Sequence, residues 1–137
     1  MPTPMKASLV IVSTLTCLSI SLPSYAQPIW KQIAVTNLGD RVMVDQNSTR
    51  VINQGRLRRV NFIVQTLYSS ADTDGTVKTA AKYSADCLTN SLGTQRFNKY
   101  DSSNKILDEY NSWSGFTSVQ SGSVGETLYQ YGCQHLR

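Results

Sequence analysis

One histidine, three cysteines and nine carboxylates are the side chains from which a reactive centre could be built in this chain. His135 stands two residues before Arg137, where a chain end holds no partner in fixed geometry, so neither a general base nor a metal ligand is expected there. There is no second histidine to complete a triad, and no serine stands in a G-x-S-x-G elbow. Asp72, Asp74 and Gly75 in ADTDG have the start of a calcium loop, D-x-D-G. The twelfth position, which would need a bidentate Glu, is Tyr83, so the segment reads as a turn. Asp108 and Glu109 are adjacent and would point to opposite faces of a strand, which prevents joint acid and base work. Neither a phosphate loop nor a dinucleotide fingerprint occurs. No cofactor or metal is implied, and an enzyme is not the expectation.

The one local cluster of charge is RLRR, with Arg56 and Arg58 on one strand face and Arg59 on the other. Guanidinium forks bind carboxylate and sulfate in bidentate fashion, so the cluster is a candidate docking patch for an acidic protein segment or an acidic glycan. The plainer reading of the same residues is a solvated sheet face whose charge discourages edge pairing.

The first residues carry one lysine, an apolar run from Ala7 to about Leu22, and Ser24-Tyr25-Ala26 as a small-x-small cleavage site. This is the pattern of a secretory signal peptide over residues 1–26. The run is too short and too rich in Ser and Thr for a membrane span of roughly 20 residues. The mature chain would be residues 27–137, and 137 − 26 leaves 111 residues, a single domain by length. Removing Lys6 lowers the net charge from +4 to +3, which supports mild attraction to anionic partners and gives no case for nucleic acid.

Cys17 leaves with the leader, so Cys87 and Cys133 remain, and exported thiols meet oxidising conditions in which a pair closes. The loop spans 133 − 87 = 46 residue steps, for which chain entropy gives roughly 4 kcal/mol of stabilisation.

Between these points the chain alternates with a period of two and is rich in Val, Ile, Thr and Tyr. Strands are expected at 30–35, 41–45, 49–52, 56–69, 77–88, 94–100 and 105–110, with Gln46 to Ser48 as a turn and Gly55 at a hairpin tip. The strand from Arg56 sets Val60, Phe62 and Val64 against Arg59, Asn61, Ile63 and Gln65, the mark of a sheet packed on one side and wet on the other. Trp113 and Phe116 are expected to anchor the irregular stretch 112–122 by pressing it onto the core. In SVGETLYQYGC, Ser123 and Glu126 form a capping box, and a helix should run from Val124 to about Tyr131 and stop at Gly132. Val124, Leu128 and Tyr131 form its apolar stripe. Two turns of helix are too few to stand alone in water, so the cysteine at its end is expected to hold it on the sheet.

Trp30, the strand RVMVD ending in Asp45, Ser48, Gly55, YSADC ending in Cys87, and SVGETLYQYGC ending in Cys133 occur in the order found in the surface-adhesin protein E family, which the chain resembles. The resemblance implies a six-stranded antiparallel sheet with a C-terminal helix tethered to its face by the disulfide. It also implies export to the periplasm or surface of a bacterium and, for the namesake, adhesion to host extracellular proteins.

The expectation is thus an exported α+β domain of about six antiparallel strands and one short C-terminal helix fixed by Cys87 and Cys133. Its task would be binding a protein or acidic glycan at the cell envelope, with Arg56, Arg58 and Arg59 as candidate contacts. A periplasmic inhibitor or assembly accessory is the alternative. No span of the membrane is expected after signal cleavage.

Overall fold

The computed structural model describes residues 26–136; the expected signal peptide, save Ala26, and Cys17 lie outside them. A single antiparallel sheet contains β1 (Trp30–Val35), β2 (Arg41–Gln54), β3 (Leu57–Leu67), β4 (Lys78–Asp86), β5 (Ser91–Tyr100) and β6 (Ile106–Tyr110) in chain order across the sheet. A two-residue β7 (Thr117–Ser118) shares the outer edge of β5, pairing with Ser91 and Leu92, while β6 pairs with Phe97 to Tyr100. The helix α1 (Val124–Cys133) and a 3-10 turn at Gln134–Leu136 close the described chain. A sheet of this kind with one short C-terminal helix is the expected architecture, in a mostly β chain.

Alternation decides what α1 covers. Val42 and Val44 of β2, Val60, Phe62 and Val64 of β3, and Ala81 and Ala85 of β4 are all buried. In register, Val44 opposes Val64, Val64 opposes Ala81, and Val60 opposes Ala85. Leu128 and Tyr131 of α1 complete this core, and the Tyr131 ring meets Phe62 edge to face at 5.3 Å. Burial of such side chains contributes about 1.5–3 kcal/mol each, which holds a helix too short to persist by itself. Val124, expected on the same stripe, is 36% exposed.

Cys87 and Cys133 are joined in a disulfide with Cα atoms 5.7 Å apart. The bond ties the last residue of α1 to the chain just after β4. Ser123 caps the helix by accepting from the Glu126 N–H at 3.1 Å. The Glu126 carboxylate accepts from the Gly122 N–H at 2.7 Å, one residue before the position a capping box would use.

Several boundaries differ from the sequence expectation; besides shifts of one or two residues at the ends of β3, β4 and β6, four differences matter. Gln46 to Ser48 is no turn between two strands: β2 runs unbroken, and the register jumps from Asp45 opposite Ile63 to Arg50 opposite Asn61. Side chains sustain this wide bulge. Asp45 accepts from the N–H groups of Ile29 and Asn47, and the Ser48 hydroxyl donates to the Asp45 carbonyl while accepting from the Ile63 N–H at 2.7 Å. The strand β4 ends at Asp86, with Cys87 in the following turn, and β5 begins at Ser91. The helix also passes through Gly132, which is buried against Phe62 and Ala85 and serves close packing instead of termination.

Candidate binding surface

The face of the sheet turned away from α1 is lined by the residues that alternate with the core. Read across the strands, one row is Asp45, Ile63, Lys82 and Arg96; the next is Met43, Gln65, Ala80, Asn98 and Glu109; a third is Arg41, Leu67, Lys78, Tyr100 and Ile106. Toward the β2–β3 hairpin, Arg50, Asn61, Ser84 and Gly93 form another, and Arg59, Asp86 and Ser91 follow.

The segment after β6 covers this last part. Trp113 lies over Gly93 so closely that a β-carbon there would collide with its indole and stand 2.8 Å from the Gly115 carbonyl. The Trp113 and Phe116 rings meet edge to face at 4.9 Å, and the Arg59 guanidinium sits 4.7 Å over Phe116. Under this lid Ser84, Asp86 and Ser91 are buried. Trp113 and Phe116 thus hold their segment against the polar side of the sheet and not, as expected, against the main core, because Gly93 leaves room for the indole on that side.

Elsewhere the face is open. By the register the whole face, covered part included, carries Arg41, Arg50, Arg59, Lys78, Lys82 and Arg96 against Asp45, Asp86 and Glu109, six cations to three carboxylates, or +3. Lys6 and Arg137 lie outside the described residues, so the remaining five cations and six carboxylates there balance to −1. The positive charge of the fold is therefore gathered on one face. Two of that face's three carboxylates, Asp45 and Asp86, are buried.

The RLRR residues separate. Arg56 lies in the two-residue turn after Gly55, whose φ of 56° places glycine at the first central position of the hairpin. It is therefore no strand-face neighbour of Arg58. The Arg58 guanidinium folds back to donate to the carbonyls of Gly55 and Leu57. Arg59, on the other side, is 3.5 Å from Asp86 and stacks on Phe116 as described. The three do not form a common patch: Arg59 belongs to the covered part of the face away from α1, and Arg56 and Arg58 to the hairpin tip.

Pairing assembles a different constellation. Lys82 and Arg96 are directly opposite on β4 and β5. Beside them a groove of about 470 Å³ is lined by Ile63, Ala80, Lys82, Arg96, Asn98 and Tyr100. Arg96 is bonded to Glu109 at 2.9 Å, whereas among the described residues Lys82 has no carboxylate within ion-pair distance. Asn98 is 6% exposed; its amide N–H donates to the Tyr100 hydroxyl at 3.2 Å, and its carbonyl oxygen has no partner among the described residues. Lys78 stands 4.8 Å over the Tyr100 ring. Hydrogen bonds from Asn111 and then Arg96 hold the Glu109 carboxyl below its ordinary pKa.

The remaining candidates are engaged in local contacts. The ADTDG stretch is a turn in which the Gly75 N–H donates to the Asp72 carbonyl and the Thr76 N–H to the Asp74 carboxylate. The Asp74 carboxyl is held down to about 2 by the side chain and N–H of Thr76 and then by Lys99, whose ammonium is 3.1 Å away. Asp108 and Glu109 point to opposite faces of β6, Asp108 toward the Tyr110 hydroxyl and Glu109 toward Arg96. His135 lies against the Tyr131 carbonyl, its Nδ1 at 2.9 Å. Among the described residues no three His, Cys, Asp or Glu side chains cluster as a metal site, and no helix is long and apolar enough to cross a membrane.

None of the protein-family models, curated proteins or solved structures compared with the chain matches it.

Proposed function

We propose that the chain is an exported, adhesin-like binding domain that meets an anionic protein or glycan through the open face of its sheet. The observation that carries this reading is the charge asymmetry: the face away from α1 holds +3 while the rest of the described chain balances to −1. Ile63 adds a 37% exposed apolar side chain near the centre of that face. Charge gathered in this way raises the encounter rate with an anionic partner and fixes its orientation. The leader-like N-terminus and the Cys87–Cys133 bond support export. The resemblance of its ordered motifs to the surface-adhesin protein E family supports the adhesive role.

The test is binding to immobilised heparin, a polyanion, across a salt series. Reversing charge on the open face with Arg41→Glu and Lys82→Glu should lower affinity at least tenfold and flatten the salt dependence. Reversing Lys31 and Lys105, which lie off that face, should change it by less than threefold. Equal losses from both pairs, or no binding at low ionic strength, would overturn the reading.

A further inference from the structure

The opposition of Lys82 and Arg96 works against the sheet. Like charges directly across an antiparallel pair are destabilising, and Glu109 engages only Arg96. A small anion lying over both strands would relieve that repulsion. The groove beside the pair extends the site in three chemical directions. Ala80 gives a shallow floor, Ile63 and the Tyr100 ring supply apolar and aromatic surface, and the Asn98 amide and Tyr100 hydroxyl supply polar groups at the base. At about 470 Å³ the groove is within the size range of small-ligand sites.

Resting on the binding role proposed above, we infer that this groove is a subsite for an acidic sugar, a uronic acid unit of a glycan. Its carboxylate lies between Lys82 and Arg96, its C–H face lies on Tyr100 and Ile63, and a hydroxyl reaches the Asn98 amide. The competing occupant, an acidic peptide strand, fits less well. Backbone groups within the sheet are already used in its ladders, and strand addition occurs at sheet edges. A peptide laid across the face would find no partners for its own N–H and C=O groups, whereas a sugar's hydroxyls remain free to bond water on their outer side. The unpartnered Asn98 carbonyl adds a second argument, because a buried polar atom left without a partner is destabilising.

Amide chemical shifts of the disulfide-bonded protein would be followed during titration with tetragalacturonic acid, its methyl ester, and hexaglutamate. The inference expects shifts centred on Ala80, Lys82, Arg96, Asn98 and Tyr100 with the acid, and at least tenfold weaker binding of the ester. Tyr100→Leu and Asn98→Leu should each weaken the sugar at least fivefold while leaving hexaglutamate within twofold. Lys82→Gln should weaken both. The unaltered protein carries the decision if Asn98→Leu does not fold, because the location of its shifts is itself diagnostic. Hexaglutamate binding in the groove as tightly as the sugar, or sugar shifts centred elsewhere on the open face, would overturn this inference and leave the binding role standing. Failure of every anion to bind at low salt would overturn both.

Discussion

Gly132 is packed against Phe62: a β-carbon at residue 132 would stand 2.7 Å from the Phe62 ring and 3.2 Å from the Ala85 β-carbon. The helix can approach β3 and β4 closely enough for its disulfide only because this position carries no side chain. Gly132→Ala sets two effects against each other. Alanine favours a helix interior by about 1 kcal/mol, but a methyl group forced into a packed core costs about 1–3 kcal/mol. Phe62 is fully buried and has little room to yield, so the variant should be less stable by about 1–2 kcal/mol. A lowered urea midpoint with an unchanged slope is the expected result; an unchanged midpoint would show that the ring moves aside freely.

The cross-link acts on the same contact from the other side. Opening a loop of 46 residue steps should remove roughly 4 kcal/mol by the chain-entropy model, a large share of the roughly 5–15 kcal/mol typical of a small domain. Cys87→Ala with Cys133→Ala should bring the denaturation midpoint down accordingly. Amide exchange should accelerate first in Leu128 to Gly132, where the ten-residue helix loses its tether. Exchange that accelerates evenly across the sheet would argue against this order.

Much of this arrangement is written locally in the chain. Val60, Phe62 and Val64 alternate with a mostly polar set, Ser123 and Glu126 mark the helix start, and with Cys17 assigned to the expected leader the other two cysteines leave one intramolecular pairing. Gly132 misleads for a physical reason: a glycine at the end of a helical stretch has the same local signature whether it terminates the helix or admits a neighbouring ring. Only the tertiary contact separates the two.

The bulge in β2 was similarly hidden. Gln46-Asn47-Ser48 has the composition of a turn, and its polar side chains do make turn-like bonds, yet they do so inside a strand. Ser48→Ala removes a donor to the Asp45 carbonyl and the acceptor of the Ile63 N–H. The expected loss is about 1 kcal/mol, at the lower end for an unsatisfied group because the site is open to water. Ser48→Thr, which keeps the hydroxyl, should recover most of it. Faster exchange of the Ile63 amide in the alanine variant alone would locate the effect at the bulge, and equal exchange in both would refute it.

The candidate surface was less legible than the fold. Arg56, Arg58 and Arg59 cluster in sequence, but a turn and strand alternation send them in different directions. Lys82 and Arg96 are far apart in sequence and become neighbours through the β4–β5 register. That register depends on the length of the turn after Asp86 and on a bulge beside Lys82 and Tyr83, neither of which has a distinctive residue pattern. The Trp113 lid depends likewise on Gly93 being bare at the point where the indole crosses.

The turn joining β3 to β4 gives a pH signature with a definite sign. Asp74 has its carboxyl lowered from 3.8 to about 2 by Thr76 and then Lys99, so the folded state binds this proton less readily than the unfolded chain. Its contribution to stability is present above the ordinary carboxylate pKa and is lost as pH falls through the folded value. Lys99, raised by the hydrogen bond and charge of Asp74, adds a contribution present below the ordinary lysine pKa and lost as pH rises through its raised folded value. Asp74→Asn should therefore be less stable than the parent at pH 7, with the gap narrowing between about pH 4 and pH 2. Carbon-detected titration of the Asp74 carboxyl and paired urea melts across that range provide the check. A gap that stays constant down to pH 2 would mean that the turn is held by its backbone bonds alone, without help from the charge.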